Sequence, residues 1–586
     1  MIFNASRTAR IMAVTLPLTS TLSARSNNTT TMTTSSLECR YLPSDVEWPT
    51  HEDWSALNLT SGGRLIRGVP LAQACYRPSL DETQCATIRD EWIQVTPYID
   101  DPVNVMQPYW QNDTCSPFPP YASVDGSGSC TLGNLAQYAI NVTNAQSVIA
   151  GINFVQDKNI RLTIKNTGHD YLGRSTGAAS LALWMHNLKE ITVLNYTSTN
   201  YTGSAVRLGA GVEGQEVTEA LSQAGLRTAD GSCPTVGMAG GWLQNGGHGP
   251  LMAVYGLGAD NALEYVVVTA DGKHLTASPS NDYADLYWAL SGGGSGNYAV
   301  VLSATVKAYV DGPVAGASFT FANDRPDAFW AAIQAWIQYL LVLSFFPGLK
   351  TVGSITNTSF AMNFATWPDA TTDALVSALD PFFQDLAALN ITLATNVTNV
   401  QPTYLAHYTN FTTTPYTVNE TVASRLIPRS IVQDDSSVSA LISKMRDVVE
   451  GSNGIFNVIA GNVSGSVKPG ANAVLPAWRS SLFHMNFGLS FAQDASWEQL
   501  SISHDLVAQW QYQFRDLVPD SGSYISEATF SDKAWKHDYF GDNYERLLGI
   551  KRKYDPESVF WASVAVGSDD VWEPQEDGRL CHVQQG

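Results

Sequence analysis

The sequence has few basic residues and lacks the short motifs of several enzyme classes. Its 586 residues include 33 Lys and Arg against 54 Asp and Glu, which gives a formal net charge of −21. Binding to nucleic acid or to an anionic membrane needs basic clusters, so neither partner is expected. The absence of a GxSxG elbow, an HExxH motif and Cys/His pairs with zinc spacing leaves serine hydrolases and zinc proteases without support and predicts no metal site.

Long hydrophobic runs are also scarce. The most apolar segment, residues 329–346, is interrupted by Gln334 and Gln338 and ends at Pro347, just short of the length that spans a bilayer. A helix of a second domain is therefore favoured over a membrane span. Apolar residues make up 44% of the chain, which is ample for folding, and its length predicts two domains.

The start of the chain has the pattern of a secretory signal over residues 1–24, with Arg7 and Arg10 before a short apolar stretch and a small-residue end. Thirteen Asn-x-Ser/Thr sequons lie between Asn27 and Asn462, and they predict N-linked glycans. A Ser/Thr/Asn-rich sequence also produces sequons without any glycosylation. Secretion to the extracellular space is the favoured interpretation.

Two glycine-punctuated loops carry most of the polar donors. The first runs from Ile164 to Gly177 around a single histidine, and the second runs from Gly231 to Gly249 with a single cysteine. Glycines let backbone N–H groups approach a ligand closely, and Asn, Thr and Ser side chains add donors. Both loops therefore predict contact with an anionic ligand. Taken alone, the histidine is more often structural, and the cysteine more often a buried thiol or a disulfide partner.

These loops resemble those of a known flavoprotein family. The first is similar to the flavin-attachment loop of the vanillyl-alcohol-oxidase/PCMH superfamily, and the second to the cysteine loop of its berberine-bridge-enzyme-like branch. The resemblance continues through residues 256–261, 285–294, 543–547 and 553–556. It implies FAD linked through His169 to the 8α-methyl and through Cys233 to C6. It also implies an α+β, two-domain PCMH-type FAD-binding fold with a substrate domain of antiparallel sheet covered by helices.

The cofactor-binding residues that the resemblance implies all lie in or near these motifs. They are His169, Cys233, Asn166, Thr167, Gly168, Asp170, Gly173, Arg174, Ser175, Val236, Gly237, Gly240, Gly241, Gly246, Gly247, Asn261 and Asn543. The segment Gly294–Ala299 imitates the Rossmann GxGxxA fingerprint, but a helix-like stretch precedes it and a strand-like one follows. We interpret it as the third glycine loop of the family, which packs against the flavin or the pyrophosphate.

The seven cysteines are an odd number, and an unpaired thiol in an oxidising compartment calls for an explanation. With Cys233 bonded to flavin, six remain for disulfides. Close spacing favours Cys75–Cys85 and Cys115–Cys130 and leaves Cys39–Cys581, although the sequence does not determine the connectivity.

The chain divides into five predicted segments. Strand, helix and strand are expected at 136–142, 144–157 and 161–164, which is an α/β unit that delivers the His169 loop. The segments are a signal peptide at 1–24, a disordered start and then a disulfide-pinned wrap at 25–128, the FAD-binding domain at 129–310, the substrate domain at 311–530, and a C-terminal return to the FAD domain at 531–586.

The resemblance implies oxidation of a C–H bond next to a hydroxyl or amine, with a base that takes the heteroatom proton. Related oxidases have a Tyr in place of His248 and another at the end of a Tyr-x-Asn-Tyr segment, where this chain has Tyr524-Ile525-Ser526-Glu527. Candidate catalytic residues are therefore Glu527, His248 and Tyr524. The choice between Glu527 and His248 stays open, and Glu527 is as readily a solvated carboxylate.

The expected protein is a secreted, glycosylated, monomeric oxidase that acts on a small molecule and passes electrons to O2, releasing H2O2. A dehydrogenase of the same fold and a non-catalytic carbohydrate-binding glycoprotein are the alternatives. The resemblance also implies that the residue two positions before the flavin cysteine gates the access of oxygen to the flavin, and here that residue is Gly231, which has no side chain to close the path. Gly231 is alternatively required only for a turn with positive φ, while another side chain covers the pocket. The substrate is not readable from the sequence.

Overall fold

The structure, a computed structural model, describes residues 38–122, 125–412 and 418–583. The predicted signal peptide and nearly all of the low-complexity segment that follows it lie outside the described residues. From Cys39 onward the chain forms one compact unit.

The strands are distributed along the whole described chain. They are β1 Leu65–Arg67, β2 Tyr138–Asn141, β3 Leu162–Lys165, β4 Leu181–Trp184, β5 Ile191–Thr197, β6 Thr202–Gly209, β7 Leu226–Arg227, β8 Ala262–Val268, β9 His274–Ala277, β10 Val300–Lys307, β11 Tyr309–Val310, β12 Val314–Ala322, β13 Lys350–Ile355, β14 Ser359–Pro368, β15 Thr395–Gln401, β16 Glu420–Pro428, β17 Ile455–Gly461, β18 Ser481–Ser490, β19 Trp572–Pro574 and β20 Leu580–His582.

The α-helices alternate with these strands, and the longest belong to the second half of the chain. They are α1 His51–Thr60, α2 Glu82–Glu91, α3 Thr96–Ile99, α4 Pro108–Gln111, α5 Ala145–Asp157, α6 Gly214–Gln223, α7 Met252–Tyr255, α8 Ala284–Leu290, α9 Pro326–Leu343, α10 Thr372–Ala388, α11 Tyr404–His407, α12 Arg429–Gln433, α13 Asp435–Ser452, α14 Trp497–Leu517, α15 Tyr544–Tyr554 and α16 Ser568–Val571.

The predicted strand–helix–strand unit is confirmed as β2, α5 and β3. The helix begins after Asn144, whose side chain accepts a hydrogen bond from the Ser147 backbone N–H, as an N-cap does. Both β2 and β3 pair in parallel with β4 in a four-stranded sheet of order β1-β2-β4-β3. The carboxyl end of β3 leads directly into the His169 loop.

Two antiparallel sheets complete the architecture. A five-stranded sheet has the order β5-β6-β10-β8-β9, and a seven-stranded one has the order β15-β12-β14-β13-β17-β18-β16. Because side chains alternate between the faces of a strand, the seven-stranded sheet sorts its residues into two rows. Phe360, Ile355, Phe456 and Phe487 face helices and pack into the largest core.

The opposite face of the seven-stranded sheet is turned to a cavity. Register places Phe364, Val352, Ile459 and His484 side by side across β14, β13, β17 and β18. A mixed α+β fold with an antiparallel sheet covered by helices on one face is therefore confirmed.

The long apolar segment is confirmed as a buried helix. α9 packs Phe329, Ile333, Trp336 and Leu340 into the core of the seven-stranded sheet. Among the described residues, no helix combines the length and the apolarity needed to cross a bilayer.

All three favoured disulfides form. Cys75 pairs with Cys85, Cys115 with Cys130 and Cys39 with Cys581, and Cys233 is the free cysteine of the described residues. The bond between Cys39 and Cys581 joins the two ends of the described chain.

Candidate active site

A cavity of about 390 Å³ lies where the His169 and Cys233 loops meet the seven-stranded sheet. Strand β13, the Glu527 turn and the third glycine loop line the same cavity. Fifteen of the predicted site residues line it: Asn166, Thr167, Gly168, His169, Asp170, Arg174, Ser175, Cys233, Val236, Gly237, Gly240, Gly241, His248, Tyr524 and Glu527.

The His169 imidazole is held neutral at one side of this cavity. Its Nε2 lies 2.8 Å from Thr235 Oγ1. Burial, helped by the positive charge of Lys165, lowers the pKa of His169 to about 3. The Lys165 ammonium donates to the backbone carbonyls of Tyr98 and Asp101, at 2.8 and 2.7 Å. A neutral imidazole keeps a lone pair, which is what attachment to an electrophilic carbon requires.

The Cys233 thiol reaches the same hydroxyl from the other loop. Its Sγ lies 3.6 Å from Thr235 Oγ1. Burial raises the pKa of Cys233, so the sulfur is a protonated thiol at neutral pH. Thr235 therefore contacts both predicted flavin anchors, which places them on the same side of the cavity.

The first loop fits a ligand that has both hydrogen-bond donors and phosphate groups. Asn166 Nδ2 donates to the Ala210 carbonyl at 2.7 Å, whereas its Oδ1 is buried and has no hydrogen-bond partner among the described residues. A Cβ on Gly237 or Gly240 would lie 2.1 Å from Asn166 Nδ2, so only glycine lets the second loop approach so closely. A buried acceptor beside a backbone cradle fits a flavin.

Glu527 is the centre of a hydrogen-bonded cluster that also lines the cavity. His248 Nε2 lies 2.8 Å from Glu527 Oε1, and His484 Nε2 lies 2.8 Å from Oε2, which also accepts from Asn486 Nδ2 at 3.0 Å. Burial alone would raise the pKa of Glu527, but the two histidines outweigh it and hold the pKa well below its usual range. The interpretation of Glu527 as a solvated carboxylate is wrong, because three N–H groups bind it.

The same geometry separates the two candidate bases. An ionised carboxylate only accepts hydrogen bonds, so Nε2 of His248 carries the proton and Nδ1 carries the lone pair. Nδ1 is buried and has no hydrogen-bond partner among the described residues. Burial lowers the pKa of His248, against the opposing charge of Glu527, so the ring is neutral at physiological pH. His248 is therefore the better proton acceptor, oriented by Glu527.

Tyr524 does not have the properties of a base. Its ring centroid lies 5.1 Å from that of His248 in an edge-on contact, and burial raises its pKa above the usual range. The phenol stays protonated at neutral pH, so Tyr524 packs the imidazole in place.

Comparison with known proteins identifies the family. Residues 136–278 match the model of an FAD binding domain, and residues 523–567 match the model described as berberine and berberine like. A VAO-type flavoprotein oxidase, VAO615, from Thermothelomyces thermophilus is 40% identical over 93% of this chain and 95% of its own length. The chain belongs to the berberine-bridge-enzyme-like branch of the VAO-type flavoproteins.

Further relatives agree on the chemistry and on the fold. An FAD-linked oxidoreductase from Neocamarosporium betae is 40% identical over 93% of this chain and 95% of its own length. The crystal structure of the VAO-type flavoprotein MtVAO615 from Myceliophthora thermophila C1 matches with a TM-score of 0.87 and 39% identity, covering 93% of this chain and all of that one. This berberine-bridge-like protein is therefore an FAD-linked oxidoreductase with the PCMH-type fold.

Five residues predicted to bind the cofactor lie outside the cavity wall, and three of them are glycines with positive φ. A Cβ on Gly173 would lie 2.5 Å from the Trp110 ring, and one on Gly247 would lie 2.6 Å from Trp242. Gly246 has φ of +104°, which side chains rarely adopt. These glycines permit turns and ring packing, and their contact with the cofactor stays a prediction.

Asn261 and Asn543 also serve the scaffold. Asn261 donates to the backbone carbonyls of Tyr255 and Leu257 and accepts from the Tyr309 hydroxyl. Asn543 Nδ2 donates to two backbone carbonyls, those of residues 473 and 474, at 3.1 Å each. Neither lines the cavity, and their contact with the cofactor stays a prediction.

The fold also brings residues to the site that the sequence analysis did not single out. These are Thr235 between the two anchors, Lys165 behind His169, His484 and Asn486 at Glu527, and Lys350 on β13. His484 and Asn486 are two apart, as are Lys350 and Val352, so period-two spacing on a strand could have assigned each pair to one face.

Gly231 has a packing reason that differs from the expected one. Its φ is not among the positive values of the described glycines, so the turn does not require glycine for that reason. A Cβ there would lie 3.2 Å from Trp242 Nε1. The Trp242 indole, which donates to the His248 carbonyl at 3.0 Å, therefore lies close to one side of Gly231 and would have to shift for a side chain there.

The cluster of His248, His484 and Glu527 invites a metal-binding interpretation that we expect to fail. Their ligand atoms lie within 4.8 Å of one another, although the histidines show no ligand spacing along the chain. Both Nε2 atoms donate a hydrogen bond to the carboxylate, so neither has a lone pair free to bind an ion between them. The 2.8 Å from each Nε2 to the carboxylate is a hydrogen-bond distance, whereas metal–nitrogen bonds are near 2.0–2.1 Å. Elemental analysis of the purified protein should find far less than one equivalent of Zn, Fe, Mn or Cu per chain. A stoichiometric metal that a chelator removes would show instead that this cluster is a metal centre.

Proposed function

We propose that the protein is a secreted FAD oxidase whose flavin is bonded to His169 and Cys233. It oxidises an alcohol or amine carbon of a small organic or carbohydrate substrate and passes the electrons to O2. The observation that carries this proposal is that one cavity is lined by both anchors and by His248, whose Nδ1 has no hydrogen-bond partner among the described residues.

The division of labour in this reaction follows from the geometry. Bound FAD supplies the hydride acceptor. The His248 Nδ1 takes the hydroxyl or amine proton of the substrate, and Glu527 stabilises the imidazolium that results. His484 and Asn486 hold Glu527 in place.

A chain of hydrogen bonds that begins at the sheet surface holds Asn486, and through it Glu527, in place. Asn363 donates to Ser354, Ser354 to Asn457, Asn457 to Asn486 and Asn486 to Glu527. Each donor points toward the carboxylate, so the amide of Asn486 is oriented to donate rather than to accept. The sheet thereby sets the charge and the position of Glu527.

Secretion and glycosylation have independent support. Three disulfides are typical of an oxidising compartment. None of the eleven sequon asparagines in the described part of the chain is buried. They are Asn58, Asn112, Asn141, Asn195, Asn200, Asn357, Asn390, Asn396, Asn410, Asn419 and Asn462.

A screen for peroxide release tests the oxidation itself. Oligosaccharides, phenolic alcohols, alkaloids and polyketide-type metabolites are offered in air, and peroxide is measured with a coupled peroxidase. A substrate that reduces the flavin anaerobically but yields no peroxide in air would identify a dehydrogenase.

The reaction with oxygen is expected to be fast and to depend on the space beside Gly231. Light-reduced enzyme mixed with aerated buffer should regain the oxidised spectrum rapidly. Gly231→Leu should slow this recovery without slowing flavin reduction, because the added side chain must displace the Trp242 indole. Gly451→Leu is the control, since a Cβ there meets nothing within 4 Å. Recovery of the wild type over many minutes would favour the dehydrogenase.

A further inference from the structure

One cation in the cavity wall lacks a partner. The Lys350 side chain is fully buried, and its Nζ has no hydrogen bond and no ion pair among the described residues. Two Lys or Arg side chains line the cavity, and the other, Arg174, is paired with Asp170 at 2.7 Å. Buried charges in proteins are normally paired, so the isolation of Lys350 calls for an explanation.

Lys350 lies on the face of the seven-stranded sheet that is turned to the substrate. It is two residues before Val352 on β13, and both line the cavity with Phe364 and Ile459. Its Nζ lies 4.8 Å from the centre of the Phe364 ring. The amine is thus set beside an apolar patch of the cavity wall.

The nearest charged groups already have other partners. Burial lowers the pKa of Lys350 to about 7, and the charges of Asp230 and Glu527 oppose this. Asp230 accepts from Thr218 at 2.6 Å and from Tyr404. Glu527 accepts from three N–H groups.

Two histidines also lie near the amine, and neither offers it a negative charge. The charge of Lys350 contributes to lowering the pKa of His248 and of His407. His407 Nε2 is engaged with Thr366 Oγ1 at 2.8 Å. No group of the described protein therefore neutralises the ammonium, which leaves that role to a ligand.

We propose that Lys350 binds a carboxylate of the substrate, so that the enzyme oxidises an organic acid whose apolar part lies on Val352, Phe364 and Ile459. One unpaired ammonium balances one negative charge, whereas a phosphate dianion would need further donors. The inference deepens the proposed oxidase function and rests on it for the reaction, but not for the binding.

Binding of benzoate and of its neutral isostere benzamide to the flavin-loaded protein tests this without any turnover. Titration calorimetry at pH 6 should show benzoate binding at least about tenfold more tightly than benzamide, as a charge-assisted hydrogen bond provides. Lys350→Met should abolish this preference and leave benzamide binding unchanged. Lys350→Arg should retain it, because the cation is kept.

The pH dependence supplies a second readout. Benzoate stays ionised, so its affinity should be constant below pH 7 and fall as the pH rises through the pKa of Lys350, near 7. Benzamide should show no such fall. Lys307→Met is the matched control, because Lys307 is a half-buried lysine outside the cavity that donates to a backbone carbonyl.

Equal affinity of the wild type for the two probes, or a benzoate preference that survives in Lys350→Met, would overturn the proposal. Neither result would bear on the oxidase function, which the peroxide screen tests separately. Melting temperatures of the variants verify that each one folds.

Discussion

Replacing His248 by Ala is expected to slow flavin reduction at saturating substrate by about 10²–10⁴-fold, the usual contribution of a general base. The substitution removes an imidazole of the cavity wall whose Nδ1 has no hydrogen-bond partner among the described residues. Substrate affinity should change far less than the rate. Anaerobic stopped-flow reduction, with a substrate found by the peroxide screen, measures both.

Glu527→Gln should slow flavin reduction by a factor of the same order, for a different reason. A glutamine amide donates through its nitrogen, so one of the two imidazoles that now donate to Glu527 would have to accept instead. If that ring is His248, its proton moves to Nδ1 and the catalytic lone pair is lost. Glu527→Gln therefore slows the reaction by changing the tautomer of His248, while the volume of the substituted side chain stays the same.

The pH profile distinguishes a base from a merely structural residue. Because burial lowers the pKa of His248 from its usual value, the imidazole is neutral at physiological pH and the rate of reduction should not change with His248 protonation there. It should fall only as the pH drops through the lowered value. Glu527 raises that pKa, so the residual activity of Glu527→Gln should show this fall at still lower pH.

His504→Asn is the control for loss of a buried imidazole, since His504 packs against Tyr109 and Phe530 and does not line the cavity. Its rate of flavin reduction should match that of the wild type. If neither His248→Ala nor Glu527→Gln slows reduction, the proton acceptor lies elsewhere in the substrate-facing wall.

The second large effect concerns the flavin itself. Wild-type protein should be yellow and should keep its flavin after acid or detergent denaturation, because two bonds hold it. His169→Ala or Cys233→Ala should each leave a flavin tethered by the other residue, and the double variant should release it. Intact-mass spectrometry of the denatured chain shows each state directly.

The two single variants should differ in how quickly the tether forms. His169 is already a neutral nucleophile, since its pKa is lowered to about 3. Cys233 is a protonated thiol with a raised pKa, and the thiolate is the reactive form. Attachment in His169→Ala should therefore lag behind that in Cys233→Ala. A wild-type flavin that washes off under denaturant would contradict both bonds.

Features that depend on short stretches of chain were accessible from the sequence. The β2–α5–β3 unit follows from apolar spacing and an N-cap at Asn144, because a helix or strand records its buried face in its own periodicity. The odd cysteine count singled out Cys233. Two of the three disulfides close short loops, and the third followed once those were assigned. The glycine loops and the family resemblance likewise rest on contiguous residues.

The role of each glycine was harder to predict from the sequence. Gly173, Gly246 and Gly247 stand in motifs of the family, yet two of them make room for Trp110 and Trp242. A glycine in a sequence records that a side chain is not tolerated, but it does not say whether a ligand or a ring is the obstacle. Only the packed structure separates the two.

The sequence by itself determined the family, the cofactor and the positions of both predicted anchors, because those motifs are local. The tertiary structure decided the acid–base roles, since Glu527 meets His248 across 279 residues and His484 across 43. It also decided that the Lys350 amine has no hydrogen-bond or ion-pair partner among the described residues, because its surroundings come from separate strands and loops. A hydrogen bond or an unpaired charge depends on which distant residues share a cavity, and register and packing set that, not spacing along the chain.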